Sequence, residues 1–355
     1  IAAVAVAFAK YVGVLVPWVT PDPWFKLAFL RFSPVEAVGL GVIALLTWWN
    51  TTSVRNGAAV QNIFTVAKVL SLAGLLVAGI LLGARLGLPS FRWGLDPSMS
   101  LRAPLFLAFA AATVQPLFSA DAWNNVTFLS EEVKQPERNV PRALLGGTVL
   151  VCTLYFLTNV GYLNVLSVGE IAGAPQDRVA TAAIGALAPG GFAPKLMAAV
   201  ILVSTFGCLN GLILAGSRVL FALSRDGLFF PALGKVSAAT QIPVAALIVQ
   251  GVWAGALALT GRYGDLLDFV MIAVLCFYVA TILGRFRLAR RVPSLAPTGL
   301  ADRLVPAVYI VLVLYVCVAQ IFVKPAYPVW SLAIVATGIP AYLVFHGQRR
   351  RVGKV

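Results

Sequence analysis

Polar side chains that could bind a small charged molecule lie within a long apolar segment of the chain. The segment runs from about residue 103 to residue 133, and Asp121, Asn124 and Asn125 lie in its middle. An aspartate at the centre of a membrane helix costs on the order of 2.5–3.5 kcal/mol, so something must compensate for it. Polar side chains at this depth are typical of the substrate site of a transporter.

The same segment carries a backbone defect. As one continuous helix it would be about 46 Å long, well beyond a hydrocarbon core of about 30 Å. Pro116 has no N–H and leaves the carbonyl of Ala112 without its helical partner. Broken backbone at membrane depth is tolerated only where protein or water surrounds it. The sequence therefore predicts a helix that is interrupted at Phe118–Asn125.

An interrupted helix presents two opposite electrical ends to its gap. The half before Phe118 ends in carbonyl groups, whereas the half that starts near Asn125 begins with free N–H groups. A zwitterion such as an amino acid matches both ends, and Phe118 and Trp123 would form apolar walls around it. The alternative is a kinked structural helix in which Asp121 only caps the second half.

The composition places the chain among the polytopic α-helical membrane proteins. Its 355 residues are 60% hydrophobic and 11% charged, with a mean hydropathy of +0.91, which leaves too little polar surface for a soluble domain. The net charge of +14 falls mostly in short loops, so it indicates orientation rather than nucleic-acid binding. We find no catalytic triad, metal cluster or phosphate loop, and we expect neither an enzyme nor a cofactor or metal ion.

The hydropathy pattern predicts a single transmembrane domain over residues 1–355. Basic residues then favour an inner side that includes the loops 230–235 and 285–291, which gives a multi-pass protein of the plasma (inner) membrane with a cytoplasmic C-terminus. The ten predicted spans are residues 1–16, 35–51, 57–83, 103–132 (broken), 143–166, 193–223, 243–261, 265–288, 305–323 and 327–346.

Lys68 is a second candidate functional residue. It lies about 16 Å along the span 57–83 and is therefore too deep to reach the membrane surface easily. It could act as a fixed cation in the place of a coupling ion, or exchange a proton. Alternatively, it bonds neighbouring backbone carbonyls. Ser204 and Thr205 lie deep in another span and could pair with Lys68, although such hydroxyls often bond the backbone of their own helix.

A charged segment, residues 131–142, follows the broken span on the predicted inner side. Pro136 and Pro141 are expected to separate it from the next helix. Glu131 or Glu132 could pair with Arg55 or with an inner-loop arginine and so form a cytoplasmic gate. A solvated loop is the alternative.

Together these motifs resemble the amino acid–polyamine–organocation superfamily, and within it the L-type amino-acid transporter family. Phe118-Ser-Ala-Asp-Ala-Trp-Asn-Asn125 followed by Glu131-Glu-Val-Lys-Gln-Pro-Glu-Arg-Asn-Val-Pro141 is similar to the sixth helix of that family and the segment after it. Further matches occur in family order: Asn50-Thr-Thr-Ser-Val-Arg55, Phe64-Thr-Val-Ala-Lys68, Ser204-Thr-Phe-Gly-Cys-Leu-Asn210, and Ser217-Arg218 leading to Ser224-Arg-Asp-Gly227.

The resemblance implies an all-α polytopic fold of the leucine-transporter type, with inverted repeats. The ten spans would correspond to helices 3–12, so we expect an N-terminally truncated chain that lacks the first, substrate-facing helix.

The resemblance also assigns roles to individual residues. Phe118 would be an aromatic gate, the backbone of Phe118, Ser119, Ala120 and Asp121 would receive the substrate ammonium, and Asn124 would lie near the substrate. Lys68, with Ser204 and Thr205 near its head, would replace a sodium ion.

Two positions depart from the family pattern. The glycine that follows the aspartate is Ala122 here, and the aromatic residue that precedes it is Ala120, so the size of the substrate side chain stays open. Eukaryotic members bond an accessory subunit through a cysteine in the loop that corresponds to Pro17–Pro34. This loop contains no cysteine, so we expect no disulfide-linked accessory subunit.

The predicted function is sodium-independent amino-acid transport, by which a permease (antiporter) exchanges neutral amino acids across the membrane through alternating access. A proton-coupled symporter, in which Lys68 or Asp121 titrates, is the first alternative. A non-transporting amino-acid sensor of the same fold is the second, and an unrelated channel is a third. The expected partners are a small-molecule amino acid and the lipid bilayer, with no nucleic acid.

Overall fold

The computed structural model describes residues 1–27, 30–52, 66, 69–74, 76–81, 104–121, 123–238, 240–260, 263–292 and 299–352. The chain forms two compact units. The first contains Ile1–Gly94 and Ala122–Tyr263, and the second contains Leu95–Asp121 and Gly264–Val355.

The first unit is built mainly from helices. Its elements are α1 (Ala2–Leu15), a hairpin of β1 (Phe25–Leu27) and β2 (Leu30–Phe32), α2 (Pro34–Thr52), α3 (Val69–Leu81), a 3-10 helix (Trp123–Glu132), α6 (Pro136–Val165), α7 (Val168–Ala172), α8 (Val179–Leu187), α9 (Phe192–Arg225) and α10 (Val244–Ala258). Short 3-10 turns at Pro175–Asp177 and Pro231–Gly234 complete it.

Small residues allow the helices of the first unit to approach closely. Helix α1 packs on α9 and α2, and α10 packs on both α2 and α9. Ala5 and Ala9 on α1 are fully buried, and Gly39 on α2 lies against the backbone of Ala5. Such contacts favour helix association where water is absent. The core is completed by larger buried side chains, among them Leu46 and Leu209.

Helices α2 and α10 meet at two glycines of α10. A Cβ atom built on Gly251 would lie 2.7 Å from Thr47 Oγ1, and one on Gly255 would lie 3.0 Å from Leu40 Cδ2. The spacing of four residues places both glycines on one face of the helix.

We therefore expect Gly251→Ala to destabilise the protein by about 1–3 kcal/mol through overpacking against Thr47. Gly41 of α2 provides the matched control, because a Cβ atom there would meet nothing within 4 Å. Gly41→Ala should leave stability unchanged or raise it by about 0.5–1 kcal/mol, since alanine is the better helix former. Thermal unfolding in detergent measures both variants, and equal melting temperatures would disprove the close contact.

The connection from α6 to α9 is tied to α1. Arg178 donates from Nη1 to the Lys10 carbonyl over 3.1 Å, and Lys10 Nζ pairs with Asp177 Oδ2 at 2.9 Å. Burial lowers the pKa of the Arg178 guanidinium from its ordinary value. At the start of α7, the Ser167 backbone N–H and hydroxyl donate to Glu170 and lower the pKa of that carboxyl.

The second unit contains α4 (Leu105–Ala112), α5 (Val114–Ser119), α11 (Tyr263–Ala289, of which Tyr263 belongs to the first unit), α12 (Ala301–Val323) and α13 (Ala326–Val352). Helix α4 packs on α12, and α12 packs on α13. One buried apolar cluster joins α5, α11 and α12 through Val114, Met271, Leu275, Val313 and Val316.

Length and composition make this chain a multi-pass membrane protein. In the described part of the chain, six helical segments are long and apolar enough to cross a membrane: Leu105–Thr127, Pro136–Val165, Phe192–Arg225, Leu266–Ala289, Ala301–Val323 and Ala326–Phe345. Large apolar side chains on their surfaces, such as Phe156, Phe322 and Leu343, are exposed, as expected where lipid replaces water.

Two local expectations differ from the structure. Pro136 begins α6 and Pro141 lies inside it, so the helix starts seven residues before the predicted position 143. A proline fits the first turn of a helix because the N–H groups there have no intrahelical acceptor. The loop Pro17–Pro34 contains the antiparallel β1–β2 hairpin, in which Phe25 faces Phe32, so a short strand pair accompanies the helices.

Candidate functional site

The predicted break in the helix lies at the end of α5. Helix α4 ends at Ala112, and α5 begins at Val114 after Thr113. Pro116 follows two residues later and has no N–H to donate to the preceding turn. After Ser119 the chain leaves the helix: the Ala120 N–H still bonds the Pro116 carbonyl at 3.1 Å, whereas Asp121 is non-helical. The carbonyl end of α4 and α5 thus opens at Ala120 and Asp121.

A 3-10 helix of ten residues, Trp123–Glu132, follows the break. Runs of this length are uncommon, and a 3-10 stretch in the course of a longer helix often marks a hinge or a functional site. Trp123 is exposed, Asn124 is half-buried, and the Asn124 carbonyl accepts a hydrogen bond from Thr127 Oγ1 at 2.6 Å. The sequence predicted that the second half of the helix begins near Asn125. In the structure this part of the chain is a 3-10 helix that begins at Trp123.

Phe118 and Asp121 are held in different ways within the second unit. The half-buried Phe118 ring packs against the apolar cluster of α5, α11 and α12. Three residues later, Asp121 Oδ1 accepts a hydrogen bond from the Tyr278 hydroxyl of α11 at 2.5 Å. An apolar contact and a hydrogen bond thus hold the end of α5 on both sides of Ser119 and Ala120.

The Asp121 carboxylate has a neutral partner rather than a basic one. Among the described residues, the ion pairs are Lys10–Asp177 and Lys324–Asp268, and no lysine or arginine pairs with Asp121. A half-buried carboxylate without a cation is costly in a membrane segment. A carboxylate in this arrangement could bind the ammonium group of a substrate or take up a proton.

The predicted cation site is described only in part. Lys68 lies outside the described residues, so its pairing with Ser204 and Thr205 stays a prediction. Thr205 Oγ1 donates to the Ile201 carbonyl of its own helix at 2.8 Å, which is the alternative arrangement that the sequence left open. Both hydroxyl residues are half-buried in α9.

The predicted cytoplasmic gate also stays a prediction. Glu131 and Glu132 are the last two residues of the 3-10 helix, and their side chains are outside the described part of the structure. Arg55 lies outside the described residues as well.

Two motif residues that had no assigned role meet in the first unit. Asn50 Nδ2 donates to Asn210 Oδ1 at 2.8 Å and to the Leu46 carbonyl at 2.8 Å. Asn50 is 0% exposed and Asn210 is 2% exposed, so this pair joins α2 and α9 in the protein interior. The quoted motifs that contain them were the only sequence signal, and that signal did not show that the two side chains touch.

An apolar groove of about 600 Å³ lies between α2 and α10. Its lining includes Thr47, Trp48, Ile248 and Val252, and none of the predicted site residues. We therefore do not assign the substrate to it. Within the described ranges, no group of three His, Cys, Asp or Glu side chains could hold a metal ion.

The sequence matches the family model described as amino acid permease over residues 1–345. The chain belongs to this amino acid permease family. Membership confirms the resemblance drawn from the motifs and the predicted fold class, an all-α polytopic membrane protein of the amino acid–polyamine–organocation type. Membership of a permease family also agrees with the expectation that the protein is a transporter rather than an enzyme.

Several amino-acid transporters are similar to this chain. The "Large neutral amino acids transporter small subunit 2" of Homo sapiens is 27% identical over 97% of the chain. The "b(0,+)-type amino acid transporter 1" of Mus musculus is 27% identical over 88%, and the "Asc-type amino acid transporter 1" of Mus musculus is 28% identical over 97%. The matches span 62% of the length of each of these relatives.

Proposed function

We propose that the natural protein that carries this chain is a sodium-independent transporter that exchanges neutral amino acids by alternating access. The observation that carries the proposal is the helix break at the end of α5, where Phe118 packs on an apolar cluster and a half-buried Asp121 follows. The names of the similar permeases, which transport amino acids, support the substrate class.

An amino acid needs complementary groups for its ammonium and for its carboxylate. The carbonyl end of α5 and the Asp121 carboxylate would attract the ammonium of the substrate, because both carry negative charge. The free N–H groups that the sequence predicts near Asn125 would attract its carboxylate. The Phe118 ring would limit access to the substrate. Sodium independence rests on the resemblance of the Lys68 motif alone.

We further propose a plasma (inner) membrane location with a cytoplasmic C-terminus, on the distribution of basic residues. A similar permease is named a small subunit. For this chain we propose function without a disulfide-linked accessory subunit, because the loop Pro17–Pro34 has no cysteine.

A proton-coupled amino-acid symporter is the second candidate. It is favoured by the hydrogen bond from the neutral Tyr278 hydroxyl to Asp121 and by the lack of a basic partner for this carboxylate among the residues described. An unpaired carboxylate in a membrane segment is a typical proton carrier.

The test is uptake of labelled leucine and alanine by the purified natural protein in sodium-free liposomes at equal pH on both sides. We expect uptake only when the liposomes contain unlabelled amino acid, and no further increase when sodium is added. A Phe118→Ala variant should take up substrate about tenfold more slowly, since loss of an aromatic contact worth about 1.4 kcal/mol corresponds to a factor of ten.

Other outcomes separate the alternatives. Uptake into empty liposomes that follows an imposed pH gradient would establish the symporter in place of the exchanger. Sodium-dependent uptake would refute the sodium-independent mechanism. Saturable binding without uptake under any condition would indicate a sensor of the same fold.

A further inference from the structure

The hydroxyl that bonds Asp121 comes from a helix far away in the sequence. Tyr278 lies on α11 and donates to Asp121 Oδ1 at 2.5 Å. Met271, Leu275 and Tyr278 follow one another at intervals of four and three residues, so they lie on one face of α11. The first two are buried in the apolar cluster and Tyr278 packs against it, which fixes the height at which its hydroxyl meets the end of α5.

Helix α12 presents a second tyrosine to the same apolar cluster. Tyr309, Val313 and Val316 have the same spacing, and Tyr309 packs against the same apolar cluster as Tyr278 and Phe118. The hydroxyl of Tyr309 has no hydrogen bond among the described residues. The two tyrosines therefore share a packing environment and differ in their contact with Asp121.

We propose that Tyr278 is a positioning residue of the substrate site: its hydroxyl holds Asp121 Oδ1 and so orients the second carboxylate oxygen toward the ammonium of a bound amino acid. The inference rests on the proposed function. It assigns to α11 a part in recognition that acts through Asp121 and not by direct contact with the substrate.

The chemistry of the contact supports this role. Asp121 follows the last turn of α5 and has a non-helical backbone, so the helix itself does not set its side-chain direction. Without a basic partner among the described side chains, the carboxylate depends on the one hydroxyl for its orientation. A hydrogen bond to a charged group is stronger than one between neutral groups and is directional.

The experiment compares Tyr278→Phe with Tyr309→Phe in the full natural protein. Initial rates of leucine uptake into leucine-loaded liposomes give KM and the maximal rate, and melting temperatures check folding. For Tyr278→Phe we expect KM to rise about tenfold, the size expected for loss of a hydrogen bond to a charged group, with a maximal rate within about twofold of the wild type. Tyr309→Phe should keep the wild-type KM.

A third variant, Asp121→Asn, shows whether the hydroxyl acts through the carboxylate. Leucine uptake by this variant should be reduced at least as strongly as uptake by Tyr278→Phe, and complete loss of uptake would also agree with the proposal. A wild-type KM for Asp121→Asn, or equal KM values for the two tyrosine variants, would overturn the proposal while leaving amino-acid transport intact.

The remaining outcomes also decide the matter. A Tyr278→Phe protein whose maximal rate and melting temperature fall together at an unchanged KM has lost a structural contact only, which contradicts a positioning role. If the wild-type protein neither binds nor takes up leucine or alanine, the proposed function fails, and the inference fails with it.

Discussion

Replacement of Lys324 by methionine is expected to lower the stability of the protein by about 1–3 kcal/mol, because it leaves a buried carboxylate without its cation. Lys324 follows α12 and forms an ion pair with Asp268 of α11. The Asp268 side chain is 3% exposed, whereas that of Lys324 is 39% exposed. Loss of one partner of a fully buried pair costs about 3–5 kcal/mol, and solvent near Lys324 reduces this value.

Few other groups near Asp268 could stabilise its buried carboxylate. Gln320 Nε2 lies 3.5 Å from Asp268 Oδ1, beyond the usual range of an N–H···O hydrogen bond. No other lysine or arginine in the described part of the chain pairs with Asp268. The ammonium of Lys324 therefore provides most of the stabilisation of this charge.

Melting temperatures of the purified variants measure the effect. Asp268→Asn combined with Lys324→Met removes both charges and should recover much of the lost stability, because no buried ion is then left unpaired. Lys195→Met is the control for loss of an exposed lysine, since Lys195 is exposed and has no ion pair among the described residues. It should change stability by less than about 0.5 kcal/mol. A double variant that is less stable than Lys324→Met would contradict this account.

The position of the helix break was predictable because local chemistry determines it. Pro116 removes a backbone donor and Asp121 is costly in lipid, and both signals lie within the segment that breaks. The structure ends α5 at Ser119, inside the predicted interval 118–125. The long 3-10 helix that follows was not predicted, since the same residues also fit a standard helix.

The contacts that hold the site were not predictable, because they join residues far apart in the chain. Tyr278 and Asp121 are separated by 157 positions, and apolar patterning places Tyr278 only within a span. The predicted spans place Lys324 only in the short loop between 305–323 and 327–346, and its pairing with Asp268 depends on how α11 and α12 align. Side-chain pairs of this kind require the register between helices, which hydropathy does not contain.

The amide groups of Asn50 and Asn210 meet between α2 and α9 in the first unit, and we expect this pair to help fix the register of the two helices. Asn210 lies 18 residues after the first residue of α9, about 27 Å along it, and so far from either end of this 34-residue helix. Water cannot replace a missing partner at this depth. We expect Asn210→Leu to destabilise the protein by about 1–3 kcal/mol, because an Asn50 N–H group loses its acceptor.

The double variant Asn50→Leu/Asn210→Leu distinguishes a polar pair from simple packing. Removal of both amides leaves no buried donor unsatisfied, so the double variant should be more stable than Asn210→Leu despite the second substitution. Asn159→Leu is the control, because exposed Asn159 bonds only the Tyr155 carbonyl of its own helix and its loss should change stability by less than about 0.5 kcal/mol. Additive losses in the double variant would show that each asparagine contributes separately, and the hydrogen bond would then not fix the register of α2 against α9.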